Sequence, residues 1–133
     1  MVNANHIGKR YGAKWALHDV SVQVSVGRVV GVLGQNGSGK STFFRILAGL
    51  TRTTHGDVTL DGCPPSHRTR RFTSYLPEVD PFYAWMTIRE LLRFAKPFYP
   101  DWDEEHASLL LETMELDEES RIEELSRGQR GRL

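Results

Sequence analysis

Gly34-Gln-Asn-Gly-Ser-Gly-Lys-Ser-Thr42 is the stretch of this chain that decides its fold. The apolar run Val29-Val30-Gly31-Val32-Leu33 comes directly before it, and an apolar-rich segment from Lys40 to Leu50 follows. This order predicts a strand buried on both faces, a glycine-rich turn, and a helix that begins near Gly39 or Lys40. Strand, glycine loop and helix form the context in which a phosphate-binding loop works.

The spacing of this loop has a physical cause. Backbone N–H groups must meet the oxygens of a triphosphate, and glycines let the chain wrap closely, partly at positive φ. The helix start turns its unpaired amides and positive dipole end toward the same phosphates. Lys40 adds a full charge for the β and γ phosphates, and Ser41 offers its hydroxyl to Mg²⁺. We expect the phosphate-binding residues to be Gly34, Asn36, Gly37, Ser38, Gly39, Lys40, Ser41 and Thr42. The alternative is an ordinary glycine-rich turn capped by Ser38.

The composition of the 133 residues is that of one globular domain. Seventeen basic and seventeen acidic residues cancel, so we expect no nucleic-acid partner. No stretch approaches the ~18 apolar residues of a membrane span, which predicts no direct membrane insertion. The lone Cys63 has no internal disulfide partner and agrees with a reducing compartment.

Other segments predict an antiparallel layer followed by helices. Residues 2–7, 16–26 and 56–62 alternate and indicate half-buried strands, and residues 72–76 indicate another strand. Thr87-Ile-Arg-Glu90 fits a capping box that opens a helix with Ile88, Leu91, Leu92 and Ala95 on its apolar face. Acidic residues 101 and 103 precede a second helix, whose predicted buried stripe is Ala107, Leu110, Leu111 and Met114.

A second motif, Leu125-Ser-Arg-Gly-Gln129, follows about 85 residues after the loop. Its simplest interpretation is a helix N-cap, with Ser126 and Gln129 as reciprocal capping partners. A Ser hydroxyl, a Gly amide and a helix start also make an anion site. One nucleotide does not need two such sites within one chain, whereas a dimer in which each copy closes the other's loop does.

Together the two motifs resemble the nucleotide-binding domain of ABC-type ATPases, over essentially the whole chain. The family's second motif is most often Leu-Ser-Gly-Gly-Gln, and Arg127 replaces its first glycine. The resemblance implies a head-to-tail dimer in which ATP lies between the phosphate loop of one subunit and Ser126, Gly128 and Gln129 of the other. Lys40 and Ser41 would then have catalytic roles. The cofactors implied are ATP and Mg²⁺.

The resemblance extends to three further places. Tyr11 stands where the family has an aromatic residue that stacks on adenine, although an ordinary turn tyrosine is the alternative. Glu78 falls where the family usually has a Gln that senses the γ-phosphate and Mg²⁺, so it is a candidate catalytic and metal-binding residue. The aromatic residues of Pro81-Phe-Tyr-Ala-Trp-Met-Thr87 form core or receive a transmembrane permease, with Phe82 and Tyr83 favoured for contact.

We therefore predict an α/β fold, a P-loop NTPase of ABC type, with an N-terminal antiparallel β layer, a partial parallel core sheet and a helical subdomain. Residues 1–133 would form a partial nucleotide-binding domain. Residues 1–76 would be the β-rich core with the phosphate loop, residues 77–86 the region around Glu78, and residues 87–133 the helical subdomain with the second motif.

The family also has an Asp-Glu pair and a His downstream of the second motif, and this sequence does not reach those positions. We therefore expect the C-terminal part of the core to be missing, and the chain alone to be marginally stable or self-associating and inactive as an ATPase. The parent would be the ATP-hydrolysing subunit of a membrane transporter. It would pair with itself or another nucleotide-binding subunit and lie at the cytoplasmic face of the membrane through a permease. The alternatives are a non-hydrolysing binding module from a naturally short chain, and a soluble ABC protein without a transport role.

Overall fold

The computed structural model describes residues 1–77 and 81–133. It divides the chain into two compact units, Met1–Leu76 and Pro77–Leu133. The first unit contains strands β1 (Val2–Tyr11), β2 (Lys14–Val24) and β3 (His55–Leu60), and helix α1 (Lys40–Leu47). The second contains helices α2 (Ile88–Ala95), α3 (Glu104–Thr113) and α4 (Arg127–Arg130). Short 3₁₀ turns cover Thr69–Arg71, Lys96–Phe98 and Ile122–Glu124.

The three strands of the first unit form one antiparallel sheet in the order β2-β1-β3. A tight turn follows Tyr11 and joins β1 to β2, and Gly12 makes it possible with φ +56°. The predicted strands at 2–7, 16–26 and 56–62 are confirmed, with β1 and β2 longer or shifted by a few residues. Alternating apolar side chains place one face of this sheet against helix α1.

The core of the first unit lies between that sheet and α1. Phe43 and Ile46 of α1 are buried against side chains from all three strands. The buried strand residues are Ala4, Ile7, Leu17 and Val58. This packing fixes the helix that begins at the end of the glycine loop.

The predicted strand at residues 29–33 is wrong for the described chain. These residues form no regular secondary structure, and the side chains of Val29 and Leu33 are almost fully exposed. The predicted strand at 72–76 is absent too, with Phe72 and Leu76 exposed. A strand needs a neighbour for its backbone N–H and C=O groups, and the described residues supply none here. The sheet is consequently antiparallel throughout, without the parallel part that we expected.

Two small apolar clusters hold the second unit together. Ile88, which is fully buried, packs with Leu111, Leu116 and Leu125. A neighbouring cluster contains Met86, Leu91 and Ile122. The predicted capping box is confirmed: the Thr87 hydroxyl accepts a bond from the Glu90 amide, and the Glu90 carboxylate accepts one from the Thr87 amide. The apolar face of α2 is therefore turned inward as its spacing predicts.

Helix α3 is less buried than its sequence predicts. Asp103 caps it by accepting a hydrogen bond from the His106 amide, as the acidic start predicts. Of its apolar stripe, however, only Leu111 is buried, and Leu110 is 39% exposed. Leu111 and Met114 of the stripe pack against the cluster around Ile88, but the stripe also lines an open apolar groove. The spacing of apolar residues correctly identified the apolar face of α3, but spacing alone does not show whether another part of the protein covers that face.

Ion pairs lie on the surface of the second unit. The Lys96 ammonium and the Trp102 indole N–H both donate to the Glu104 carboxylate and hold its pKa below the usual range. Arg89 pairs with Glu118 and Glu119, which raises the pKa of its guanidinium. All these groups are at the surface, where such pairs contribute little to stability.

The sheet core yields a test. Replacing Ile7, which has no exposed surface, with alanine leaves a cavity between sheet and helix. We expect Ile7→Ala to reduce the free energy of unfolding by about 2–5 kcal/mol in chemical denaturation. Val26→Ala is the control, since Val26 is 81% exposed, and it should change stability by less than about 0.5 kcal/mol. Equal effects of the two changes would contradict the core described above.

Candidate functional site

The glycine loop is held closed by its own lysine. The Lys40 ammonium donates to the backbone carbonyls of Gly34 and Gln35, at 2.8 and 2.9 Å. The Ser38 amide donates to the Gln35 carbonyl at 3.1 Å. The Lys40 ammonium is therefore hydrogen-bonded to the backbone of its own loop. A stronger acceptor, such as a phosphate oxygen, can replace these carbonyl oxygens.

Helix α1 begins where the loop ends, as predicted. Its N-cap is Gly39, a residue without a side chain to cap the first amides, and the first helical bond runs from the Phe43 amide to the Gly39 carbonyl. The amides of the first turn are the groups that an α-helix leaves without an internal partner. The loop thus presents the N–H groups of a helix start, a helix dipole and one ammonium group in the same place.

Close packing explains the glycine at position 39. A Cβ atom there would lie 2.3 Å from the Ala16 carbonyl oxygen and 2.7 Å from Leu17 Cδ2, and the backbone has φ +97°. Gly37 has φ +83°, but among the described residues no neighbouring heavy atom lies within 4 Å of the position that a Cβ atom would take. One glycine therefore lets the loop rest against β2, and the other lets the chain turn.

Tyr11 ends β1 on the same face of the sheet as this contact. Lys9 pairs directly with Leu17 across the β1–β2 ladder, and residues opposite each other project to the same face. The register shift after Lys9 places its extra residue, Ala16, on β2, so alternation along β1 is kept. Tyr11, two residues after Lys9, therefore projects to that face too, and the Lys9 ammonium lies over its ring. Since Leu17 contacts the position of Gly39, the aromatic ring and the loop share one side of the sheet. The ring is 49% exposed.

The second motif forms the capping box that its sequence predicts. The Ser126 hydroxyl accepts a bond from the Gln129 amide at 3.2 Å, and the Gln129 side-chain oxygen accepts one from the Ser126 amide at 2.9 Å. Buried Leu125 anchors the motif, while Ser126 and Gly128 are exposed. Because the cap uses the hydroxyl as an acceptor, its O–H proton is left to donate.

The candidate residues divide between the two units. The loop, Lys40, Ser41 and Tyr11 belong to the first unit, whereas Ser126, Gly128 and Gln129 belong to the second. Glu78 lies outside the described residues. Among the residues that are described, no three His, Cys, Asp or Glu side chains gather as a metal site. A divalent cation at the loop would take the Ser41 hydroxyl oxygen and phosphate oxygens, the hard donors that Mg²⁺ prefers.

The two units carry opposite net charges, a feature that the neutral total conceals. Met1–Leu76 contains ten Lys and Arg residues and three acidic residues, which gives a net charge of +7. Pro77–Leu133 contains seven Lys and Arg residues and fourteen acidic residues, which gives −7. The unit with the phosphate loop is therefore the one that attracts anions. Counting charge by segment would have found this from the sequence.

Comparison with known proteins identifies the class. Residues 17–133 match the protein-family model described as ABC transporter. The chain belongs to this family, and its α/β P-loop fold of ABC type is thereby confirmed. The glycine loop and capped second motif described above are therefore parts of an ABC-type nucleotide-binding domain, a class that binds nucleotide.

Individual curated relatives belong to the same family. The ABC transporter ATP-binding protein YtrB of Bacillus subtilis (strain 168) is 30% identical over 135 residues, covering all of this chain and 46% of the relative. The lipopolysaccharide export system ATP-binding protein LptB of Haemophilus influenzae is 31% identical over 121 residues, covering 84% of this chain and 50% of that protein. The chain thus spans about half the length of the curated relatives it matches.

Solved structures show the same fold. A structure described as the ATP-binding subunit of an ABC transporter aligns with a TM-score of 0.78 and 27% identity, over 98% of this chain and 59% of that one. A dimeric bacterial ABC transporter cassette aligns with a TM-score of 0.80 and 24% identity, over 99% and 66% of the two chains. Among residues 1–77 and 81–133, every helix is too short or too polar to cross a membrane.

The packing of Gly39 can be tested by stability alone. Gly39→Ala adds a clash with the Ala16 carbonyl to the strain of a positive φ, whereas Gly37→Ala adds only the strain. We expect Gly39→Ala to cost about 1–3 kcal/mol more than Gly37→Ala in thermal unfolding without nucleotide. Equal losses would show that the loop does not rest on β2.

Proposed function

We propose that this protein binds Mg-ATP at the glycine loop and that the whole protein hydrolyses it to drive transport. The observation that supports this most is the loop itself. Its amides, the start of α1 and the Lys40 ammonium converge in a unit of net charge +7. Phosphoryl transfer needs little more from a protein than positioning and charge neutralisation.

Each residue of the site has a proposed role. The backbone of Gly34, Asn36, Gly37, Ser38 and Gly39 surrounds the phosphates, and Thr42 supports the loop. Lys40 neutralises charge on the β and γ phosphates and thereby acts in catalysis. Ser41 and Glu78 hold Mg²⁺, which when bound neutralises further phosphate charge. The exposed ring of Tyr11, on the loop's side of the sheet, stacks on the adenine base.

We propose that ATP closes a dimer in which two copies, or this chain and another nucleotide-binding subunit, lie head to tail. Ser126, Gly128 and Gln129 of one subunit then cover the phosphates held by the other. The opposite charges of the two units support this arrangement, because a head-to-tail pair places a unit of +7 beside a unit of −7 twice. A head-to-head dimer, in which each unit meets the same unit of the other copy, would place like charges together.

A membrane permease is the proposed partner in transport. The stacked rings of Tyr83 and Trp85 are 61% and 62% exposed, with centroids 5.8 Å apart. They begin a surface that continues into a groove of about 300 Å³ whose lining includes Phe82, Phe94 and Phe98. Such exposed aromatic surfaces mark protein interaction sites. A permease segment bound there would hold the protein at the cytoplasmic face of the membrane.

Loss of the loop lysine tests nucleotide binding. In the full-length protein, Lys40→Ala should weaken Mg-ATP binding roughly ten- to hundredfold in calorimetry, because charge-assisted bonds of about 1.5–3 kcal/mol are lost. Lys14→Ala removes the same charge from the same unit and should change affinity less than about twofold. Normal affinity in Lys40→Ala would disprove the proposed site.

Pairing is tested separately at the second motif. We expect Ser126→Ala to leave Mg-ATP binding by the monomer nearly unchanged but to weaken ATP-dependent dimerisation of the full-length protein, measured by analytical ultracentrifugation. Ser108→Ala, on the exposed surface of α3, is the control and should dimerise normally. Dimerisation should also weaken as salt rises, if opposite charges guide it. Unchanged pairing in Ser126→Ala would remove this motif from the interface.

A further inference from the structure

Lys9 contacts both Tyr11 and the loop that follows α1. Its ammonium nitrogen lies 4.9 Å from the centroid of the Tyr11 ring, within the range of a cation–π interaction. The same nitrogen donates a hydrogen bond to the Arg52 carbonyl at 2.7 Å. One cation is therefore fixed by a backbone carbonyl and placed over an aromatic face.

The backbone around this contact is itself held in place. The Arg10 amide, between the two side chains, donates to the Thr54 hydroxyl at 3.0 Å. Arg52 and Thr54 both lie in the segment between α1 and β3. The end of β1 is thereby tied to the segment that leaves the helix of the phosphate loop, so Lys9 is not a freely rotating surface lysine.

We propose that Lys9 is a positioning residue for base stacking, an inference that rests on the proposed binding of adenine by Tyr11. The ammonium lies over one face of the ring, and in this proposal the base stacks on the opposite face of the half-exposed Tyr11. A cation on one face also draws π density toward itself, which favours stacking of an electron-rich purine on the other. Lys9 thus fixes the orientation of the ring and strengthens its stacking.

A purely structural tie between β1 and the segment after α1 would need the hydrogen bond to Arg52 but not the charge. Lys9→Gln retains a donor for that carbonyl and removes the cation, and Lys9→Arg retains both. Lys14 provides a matched control, because it pairs with Tyr11 across the ladder but, within the described chain, its ammonium makes no ring contact.

The experiment measures Mg-ATP affinity of the full-length protein by calorimetry. We expect Lys9→Gln to weaken binding roughly three- to tenfold, while Lys9→Arg and Lys14→Gln stay within about twofold of the unmodified protein. Inorganic triphosphate, which has no base, should bind Lys9→Gln and the unmodified protein alike. Equal losses in Lys9→Gln and Lys14→Gln, or an equal loss for triphosphate, would overturn the proposal in favour of a general charge effect.

A double substitution completes the test. In a Tyr11→Leu background, Lys9→Gln should cause no further loss of ATP affinity, since Lys9 acts through the ring. A persisting loss would overturn the inference. Failure of the proposed function looks different: the unmodified protein would not bind Mg-ATP, or Lys40→Ala would bind normally. Normal dependence on Lys40 combined with normal ATP binding by Lys9→Gln would refute only the role of Lys9.

Discussion

The structure of the site depends on the contact between the glycine loop and strand β2. At Gly39 the backbone passes so close to the Ala16 carbonyl that no side chain fits. This contact lets α1 begin directly against the sheet, where Phe43 and Ile46 become buried. The amides of its first turn are therefore fixed by the core of the unit, and preorganised donors of this kind need no rearrangement to meet an anion.

The positive charge at this site is part of a wider positive charge on the first unit. Lys40 supplies a local charge inside the loop, and the surrounding unit adds a net charge of +7. The second unit carries the opposite net charge. The phosphate site and the head-to-tail pairing of two copies that we propose would both follow from this one division of charge.

The helix caps and the start of the helix after the glycine loop were predictable from the sequence, because they depend on residues close to each other in the chain. The boxes at Thr87 and Ser126 and the start of α1 at Lys40 follow from residues within four positions of each other. The antiparallel strands were predictable from alternation for the same reason. The strand expected at residues 29–33 was wrong because it needs a distant partner, which no local pattern reveals.

The sequence by itself determined the glycine loop, the capped second motif and membership of the ABC family, since each is encoded in fixed spacings of particular residues. Only the tertiary structure decided that Tyr11 lies on the loop's side of the sheet, that Lys9 covers one face of its ring, and that Leu110 of the α3 stripe is left exposed in an open groove. These features depend on strand register and on what packs against each face. Both are set by contacts between residues far apart in the chain.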